Sequence, residues 1–520
     1  MSLAQGPHSL QALQTRYGER HRWLLLLSVM LGSMAAVMSS TIMNVAIPDM
    51  SQHFTLGQSR VQWVTSGFMV AMTVSMLTTP WLLARYGYRR VYEVCMWLLL
   101  GGGVVGGLAN DFPLVMAARV AEGLAAGVVQ PIPAIIILRA FASEEQGRAS
   151  GLFGMGVVLA PAIGPSIGGV LVDVFGWRSI FFMVVPLAML ALWLSRRYVP
   201  TSAPGGVQAD ADSPGLDWVG LALASASTLM LLNGLVQLRG DDDTIALTLL
   251  ALAGVGMAVF VAWQRHLLQP GRRRDARRHD RRHATRQAER QGAAVQPVRQ
   301  ARRGPLMNLQ VFGHRHFAMG ALVSFTYGIA LFGSTYLLPV YMQMGLRLSP
   351  SYIGAALLPA GILLAVTIAA VGRWSHRMPP AHWVSWGLAL LALSFALMPL
   401  VHPAAGLALL WILVILGRIG LGFILPSLNL GALRGLPKDL IPQASSVIGF
   451  VRMLGGAAGV SICAIVLEWR LAVYALASSG PVSADLRAFN ETFVFLATTT
   501  ALALLAAWKM GEAPTPPKKD

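Results

Sequence analysis

Long apolar runs separated by short polar loops fill most of the chain. They lie at 23–47, 61–83, 91–109, 113–138, 150–172 and 179–194, then at 216–238 and 245–263, and finally at 317–344, 352–371, 383–400, 407–430, 444–467 and 492–508. Hydrocarbon offers the backbone no hydrogen-bond partner, so a crossing segment is a helix or part of a closed barrel, and a helix needs about 20 mostly apolar residues. The runs have that length and lack the alternation of barrel strands. They predict an all-α integral membrane protein of about 14 transmembrane helices.

Composition agrees: 55% of the 520 residues are hydrophobic and 12% charged, and the mean hydropathy is +0.59. A net charge of +17 raises nucleic acid as a partner. The basic residues lie between apolar runs rather than on a soluble domain, so membrane topology accounts for them and nucleic acid is set aside. Arg85, Arg89, Arg90, Arg139, Arg148, Arg196, Arg197, Arg373, Arg377, Arg434, Lys438 and the tail lysines fall on one side, whereas Asp49, Asp111 and Asp241 to Asp243 fall on the other. The positive-inside rule predicts both termini in the cytoplasm of a cell (inner) membrane. Arg16, Arg20 and Arg22 precede a first run too long for a signal-peptide core, which reads as a retained span. Cys95 and Cys463 have no ligand-spaced companions, so neither a metal nor another cofactor is expected. No lysine stands in a phosphate-binding Gly-rich context, which argues against an ATP-driven pump or another enzyme.

The expected organisation is a six-helix bundle at 1–198, two additional helices at 199–265, an Arg-rich cytoplasmic loop without regular structure at 266–305, and a second six-helix bundle with a short tail at 306–520. The bundles carry an internal repeat. Leu138-Arg139-Ala140-Phe141 through Ala149-Ser150 has the spacing of Leu433-Arg434-Gly435-Leu436 through Ala444-Ser445, and Gly164 aligns with Gly459. Arg119 and Arg418 precede these loops with a register slip of one helical turn. Both repeated loops fall on the cytoplasmic side, so the repeats are parallel, as in bundles that rock about a midplane site.

Four segments carry a resemblance. They are Ser40-Thr41-Ile42-Met43-Asn44-Val45-Ala46-Ile47-Pro48; the loop Leu83-Ala84-Arg85-Tyr86-Gly87-Tyr88-Arg89-Arg90; Arg119-Val120-Ala121-Glu122-Gly123; and Gly164-Pro165-Ser166-Ile167-Gly168-Gly169. In order and spacing they resemble the motifs of the major facilitator superfamily, specifically its fourteen-helix drug:proton antiporter group of the EmrB/QacA type. The resemblance implies the major facilitator fold and export of small amphipathic compounds by proton antiport. It assigns gating to Arg85, Gly87, Arg89, Arg90, Gly164, Pro165, Gly168 and Gly169. It also admits a periplasmic adaptor protein as partner, of which the short outer loops carry no sign.

Three departures matter. Ser39 stands where the group has Asp, Ala84 where the loop prefers Asp, and Glu122 where span four has Gln. An ionisable group inside a span is a functional candidate by default. Glu122 follows Arg119 by three residues, on the same helical face. It either binds and releases a proton or only neutralises Arg119. The resemblance makes Arg119 a proton-coupling residue as well, and Asp173, near the outer end of span five, is a further proton-coupling candidate with Arg178 as its ion-pair partner. Asn44, Trp63, Phe68, Met69, Tyr327, Tyr336, Met342 and Arg418 are candidates for the substrate cavity. The alternatives are export of one endogenous metabolite, lipid or anionic compound, and a non-transporting sensor acting through the Arg-rich loop.

Overall fold

The structure, a computed structural model, describes residues 9–201, 215–238, 243–289, 305–401, 407–476 and 484–511; at a few helical positions, Pro165, Ser166 and 269–289 among them, only the backbone is described. Every regular element in these residues is helical. A short amphipathic α1 (Leu10–Tyr17) leads into α2 (Arg20–His53), followed by the single turn α3 (Gln58–Val61), α4 (Trp63–Ser75), α5 (Thr79–Tyr86), α6 (Tyr88–Leu108), α7 (Phe112–Val129), α8 (Ile132–Ala140), α9 (Ser143–Phe175) and α10 (Arg178–Tyr198). Next come α11 (Trp218–Gln237) and α12 (Asp243–Glu289), then α13 (Arg315–Val340), α14 (Pro350–Trp374), α15 (Pro380–Leu397), α16 (Leu407–Leu433), α17 (Ile441–Leu476) and α18 (Ala484–Gly511).

Prolines break two crossings. α4 tightens into a 3₁₀ turn at Met76–Thr78 before Pro80, and α7 gives way to α8 around Pro131 and Pro133, where the missing N–H groups interrupt the helical ladder. Thirteen segments among the described residues are long and apolar enough to cross a membrane. The 33-residue α9, not in that number, occupies the remaining position of the fourteen.

The first six crossings pack as one bundle, with α2 against α9 and α10, α4 against α7, and α6 against α7 and α10. In the second, α13 packs on α17 and α18, α15 on α16 and α18, and α14 on α16. The bundles meet along α9 and α14, and where α5 and the preceding 3₁₀ turn touch α17. The inserted pair α11–α12 lies against α4 and α17, on the flank of that junction. α12 continues to Glu289, so the Arg-rich stretch is helical up to that residue, where composition predicted no regular structure. Arg, Ala, Gln and Glu are good helix formers, and an existing span supplies the nucleus. The rest of that stretch, 290–304, lies outside the described residues.

One buried carboxylate anchors the insert. Asp217, 1% exposed, accepts hydrogen bonds from the Gly220 amide at 2.9 Å, Trp263 Nε1 at 3.0 Å and Gln264 Nε2 at 2.7 Å. Gln264 Oε1 accepts from the Met307 amide at 3.2 Å, extending the network to the segment that opens the second bundle. Asp217→Ala strands these donors and is expected to cost on the order of 2–4 kcal/mol. A lower melting temperature in detergent and faster proteolysis after Trp263 would be its signature, with Asp217→Asn intermediate.

Candidate functional site

Among the described residues, the interior of the first bundle holds one ion pair. On α7, Arg119 and Glu122 are 1% and 0% exposed, and Arg119 Nη1 lies 2.7 Å from Glu122 Oε2. The i, i+3 spacing puts them on one face, as the sequence indicates. What completes the site comes from other helices. Ser39 of α2 donates its hydroxyl to Glu122 Oε2 at 2.9 Å and accepts from Arg119 Nη1 at 2.7 Å. Arg119 Nε donates to the Val64 carbonyl at 3.3 Å, and its guanidinium lies 4.3 Å from the centre of the Phe68 ring.

Space for the carboxylate comes from α6. A Cβ at Gly102 would stand 2.5 Å from Glu122 Cγ, and one at Gly103 would meet the Phe181 carbonyl at 2.9 Å. Gly123 in turn lets α7 approach α4, where an added Cβ would lie 2.5 Å from the Phe68 carbonyl. Glu122 Oε1 and Arg119 Nη2 are buried without a hydrogen-bond partner among the described residues. A carboxylate with one satisfied and one open oxygen, held by a single guanidinium and a hydroxyl, can take a proton and keep its place. The sequence does not single out Ser39, Gly102 or Gly103 as site residues. Ser39 was visible only as a departure from a motif, and the two glycines belong to the run Gly101-Gly102-Gly103, which carries no chemistry of its own.

The other candidates disperse. Asp173 is exposed and forms no ion pair with Arg178 among the described residues; Arg178 donates instead to the Ala109 carbonyl at 3.0 Å and packs on Trp177. Phe68, Tyr327 and Met342 are at most 1% exposed, so they present almost no surface to a cavity in this conformation: Phe68 supports Arg119, and Met342 belongs to the core of the second bundle. Met69 and Tyr336 are half-buried, while Asn44 and Trp63 are exposed, and Asn44 Oδ1 accepts from Thr65 at 3.2 Å. In the signature loop, Gly87 has φ +78°, a region that disfavours residues with a Cβ. Arg89 pairs with Glu93 at 2.9 Å and donates to the Arg196 carbonyl at 2.8 Å, both within the first bundle. Arg85 packs beside Trp81 and Tyr86, and Arg90 is exposed.

The glycines sort into two sets. Gly164 and Gly168 of the motif face α2 of their own bundle, where a Cβ would stand 3.5 Å from Met38 and 2.5 Å from Ile42; one at Gly169 would meet nothing within 4 Å, and the Pro165 side chain lies outside those described. The close approach of one bundle to the other is made by Gly147, Gly151 and Gly154 against α14 and the residue that follows it. A Cβ on Gly151 would lie 2.6 Å from Gly372 Cα, and one on Gly154 would lie 2.8 Å from Ile368.

The bundles also close on each other with the symmetry of the repeat. Ser445 Oγ donates to the Pro131 carbonyl at 2.9 Å, and Ser150 Oγ reaches the Pro426 carbonyl at 3.5 Å. Ser150 matches Ser445, and Pro131 matches Pro426, at the spacing of the repeated loops. Arg139 adds a bond from Nη2 to the Lys438 carbonyl at 2.6 Å. These contacts surround a cavity of about 70 Å³ whose walls include Gln130, Asn429, Val157 and Arg452. All of them lie toward the end of the molecule that carries the Arg139 and Arg434 loops.

This architecture has relatives. The chain is 25% identical to the multidrug export protein EmrB of Haemophilus influenzae over 87% of its own length and 81% of that protein. It is 22% identical to the riboflavin transporter RibZ of Clostridioides difficile, over 94% of this chain and 97% of the relative. The solved structure of the proton:xylose symporter XylE superposes with a TM-score of 0.60 at 13% identity, covering 95% of this chain and 96% of that one. A model of the Major Facilitator Superfamily matches residues 29–460, and the chain belongs to that superfamily of multi-pass membrane transporters.

Proposed function

We propose that this transporter exports small amphipathic molecules across the cell membrane in exchange for protons, by alternating access. The observation that carries the reading is the Arg119–Glu122–Ser39 cluster. A dry carboxylate on a helix between moving elements is a group whose protonation can be tied to conformation. With the Arg-rich loops in the cytoplasm, the bundle contacts at Arg139, Ser150 and Ser445 fall on the cytoplasmic side and close the bundles on each other there. Likeness to EmrB supports drug efflux. Likeness to RibZ supports a second reading, transport of one organic metabolite.

Inside-out membrane vesicles test the proposal. A pH gradient, acid inside, is expected to drive accumulation of a fluorescent substrate, and an uncoupler is expected to abolish it. Accumulation that ignores the uncoupler and the pH gradient overturns proton antiport.

A further inference from the structure

Besides the Arg119–Glu122 pair, two more arginines lie deep in the spans. Arg418 sits about 16 Å along α16 from Leu407, and Arg452 about 16 Å along α17 from Ile441, which puts both near the middle of the membrane. Tyr327 of α13 lies about 18 Å in from Arg315 on the helix that packs against both α16 and α17, and its neighbour Gly328 abuts the Arg452 backbone, where an added Cβ would press on the Arg452 carbonyl. Neither arginine makes an ion pair or hydrogen bond to any described residue. The acids of the second bundle do not serve them: Glu491 pairs with Arg470 and Asp485 with Arg347, both toward the opposite end, and Glu468 lies about 24 Å along α17 from Arg452.

Two interior cations without a counter-charge are costly, and a fold retains them where something else supplies the charge. The packing of the repeat does not require Arg452. At the spacing of the repeated loops, Arg452 falls where the first bundle has Val157, and both line the cavity between the bundles. A pair of guanidinium forks beside a phenol hydroxyl matches a carboxylate, sulfonate or phosphate through charge-assisted hydrogen bonds, and it repels a cation.

We propose that Arg418 and Arg452, held beside the buried Tyr327, bind an anionic group of the transported molecule, so that the substrate is an amphipathic organic anion. The inference deepens the export reading above and rests on it for the direction of transport, but the binding step stands by itself.

The test uses two dyes of one xanthene skeleton, anionic fluorescein and cationic rhodamine 123, with the purified full-length protein. Fluorescein is expected to bind, to be displaced by simple aromatic carboxylates or sulfonates, and to raise the melting temperature. Arg418→Gln and Arg452→Gln should each weaken that binding about tenfold, while Arg418→Lys keeps much of it. Without ligand, the Gln variants should melt no lower than the parent, because they remove an uncompensated interior charge; an arginine held for structure would lower the melting point. Binding of rhodamine 123 without fluorescein, no binding by either dye or by the aromatic anions, or fluorescein affinity unchanged in the double variant each overturns the anion site. Anion binding that is lost in the Gln variants, with no pH-driven transport in liposomes, leaves the site standing and overturns proton antiport. pH-driven rhodamine transport with no anion binding does the reverse.

Discussion

Glu122→Gln is expected to abolish pH-driven accumulation while leaving substrate counterflow in place, and the added change Ser39→Asp is expected to restore coupling. The argument is geometric. Ser39 Oγ lies 2.9 Å from Glu122 Oε2, and both touch the same nitrogen of Arg119. The drug:proton antiporters that the motifs resemble have Asp at the position of Ser39 and Gln at that of Glu122. This chain therefore keeps one acid beside Arg119 but hangs it from α7 instead of α2, with a small hydroxyl filling the vacated place. An exchange of the two residues should move the carboxylate back without changing its partner.

Glu122→Gln alone also leaves Arg119 as a buried unpaired cation, at a cost of about 3–5 kcal/mol, so lost activity by itself is ambiguous. The double variant Arg119→Gln, Glu122→Gln removes both charges and is expected to regain thermal stability without regaining coupling. If it regains coupling, or if Glu122→Gln retains it, Glu122 is only the partner of Arg119. Glu468→Gln, on an exposed side chain of α17, serves as the control and should leave pH-driven accumulation intact.

The second large effect concerns the closed end. Gly151→Val is expected to hold the bundles apart there, because a Cβ at this position already falls 2.6 Å from Gly372 Cα and 3.0 Å from the Ile368 carbonyl. The near neighbours are mostly backbone, which has no rotamer to yield. Overpacking of about 1–3 kcal/mol, charged only to the closed conformation, lowers the ratio of closed to open forms by roughly 5- to 150-fold. Gly372→Val meets Gly151 Cα at 2.4 Å and should act alike, whereas substitution at Gly169, with nothing within 4 Å, should not. Spin labels on exposed Glu144 and Lys438 report the opening, and the native cysteines, Cys95 and Cys463, are buried and do not compete for the label. The distance distribution should lengthen in Gly151→Val, and efflux should fall. An unchanged distribution would mean that the Gly151–Gly372 crossing is not the surface on which the bundles close.

The gap between the motif glycines and the closing glycines shows what one-dimensional reading misses. Gly164 and Gly168 stand out because they form an ordered set with Pro165, yet they face α2 within the first bundle. Gly147, Gly151 and Gly154 belong to no such set, and only the placement of α14 gives them their role. Arg452 is similar. In the sequence it is one arginine of a glycine-rich span, and its significance comes from Arg418 and Tyr327 on two other helices.

Legible in the sequence were the helical membrane crossings, the approximate position of each span, the repeated loop spacing of the two halves, and the shared helical face of Arg119 and Glu122. Each of these follows from periodicity, run length or short-range spacing, which the hydrocarbon solvent makes strict because no backbone group there can go unpaired. The packing of the helices is what makes Ser39 and Gly102 complete the carboxylate's surroundings, keeps Asp173 away from it, and selects the glycines that bring the bundles together. Those outcomes depend on which helix lies beside which and at what rotation. Between spans that are all apolar, side-chain packing sets that choice, and hydropathy does not record it.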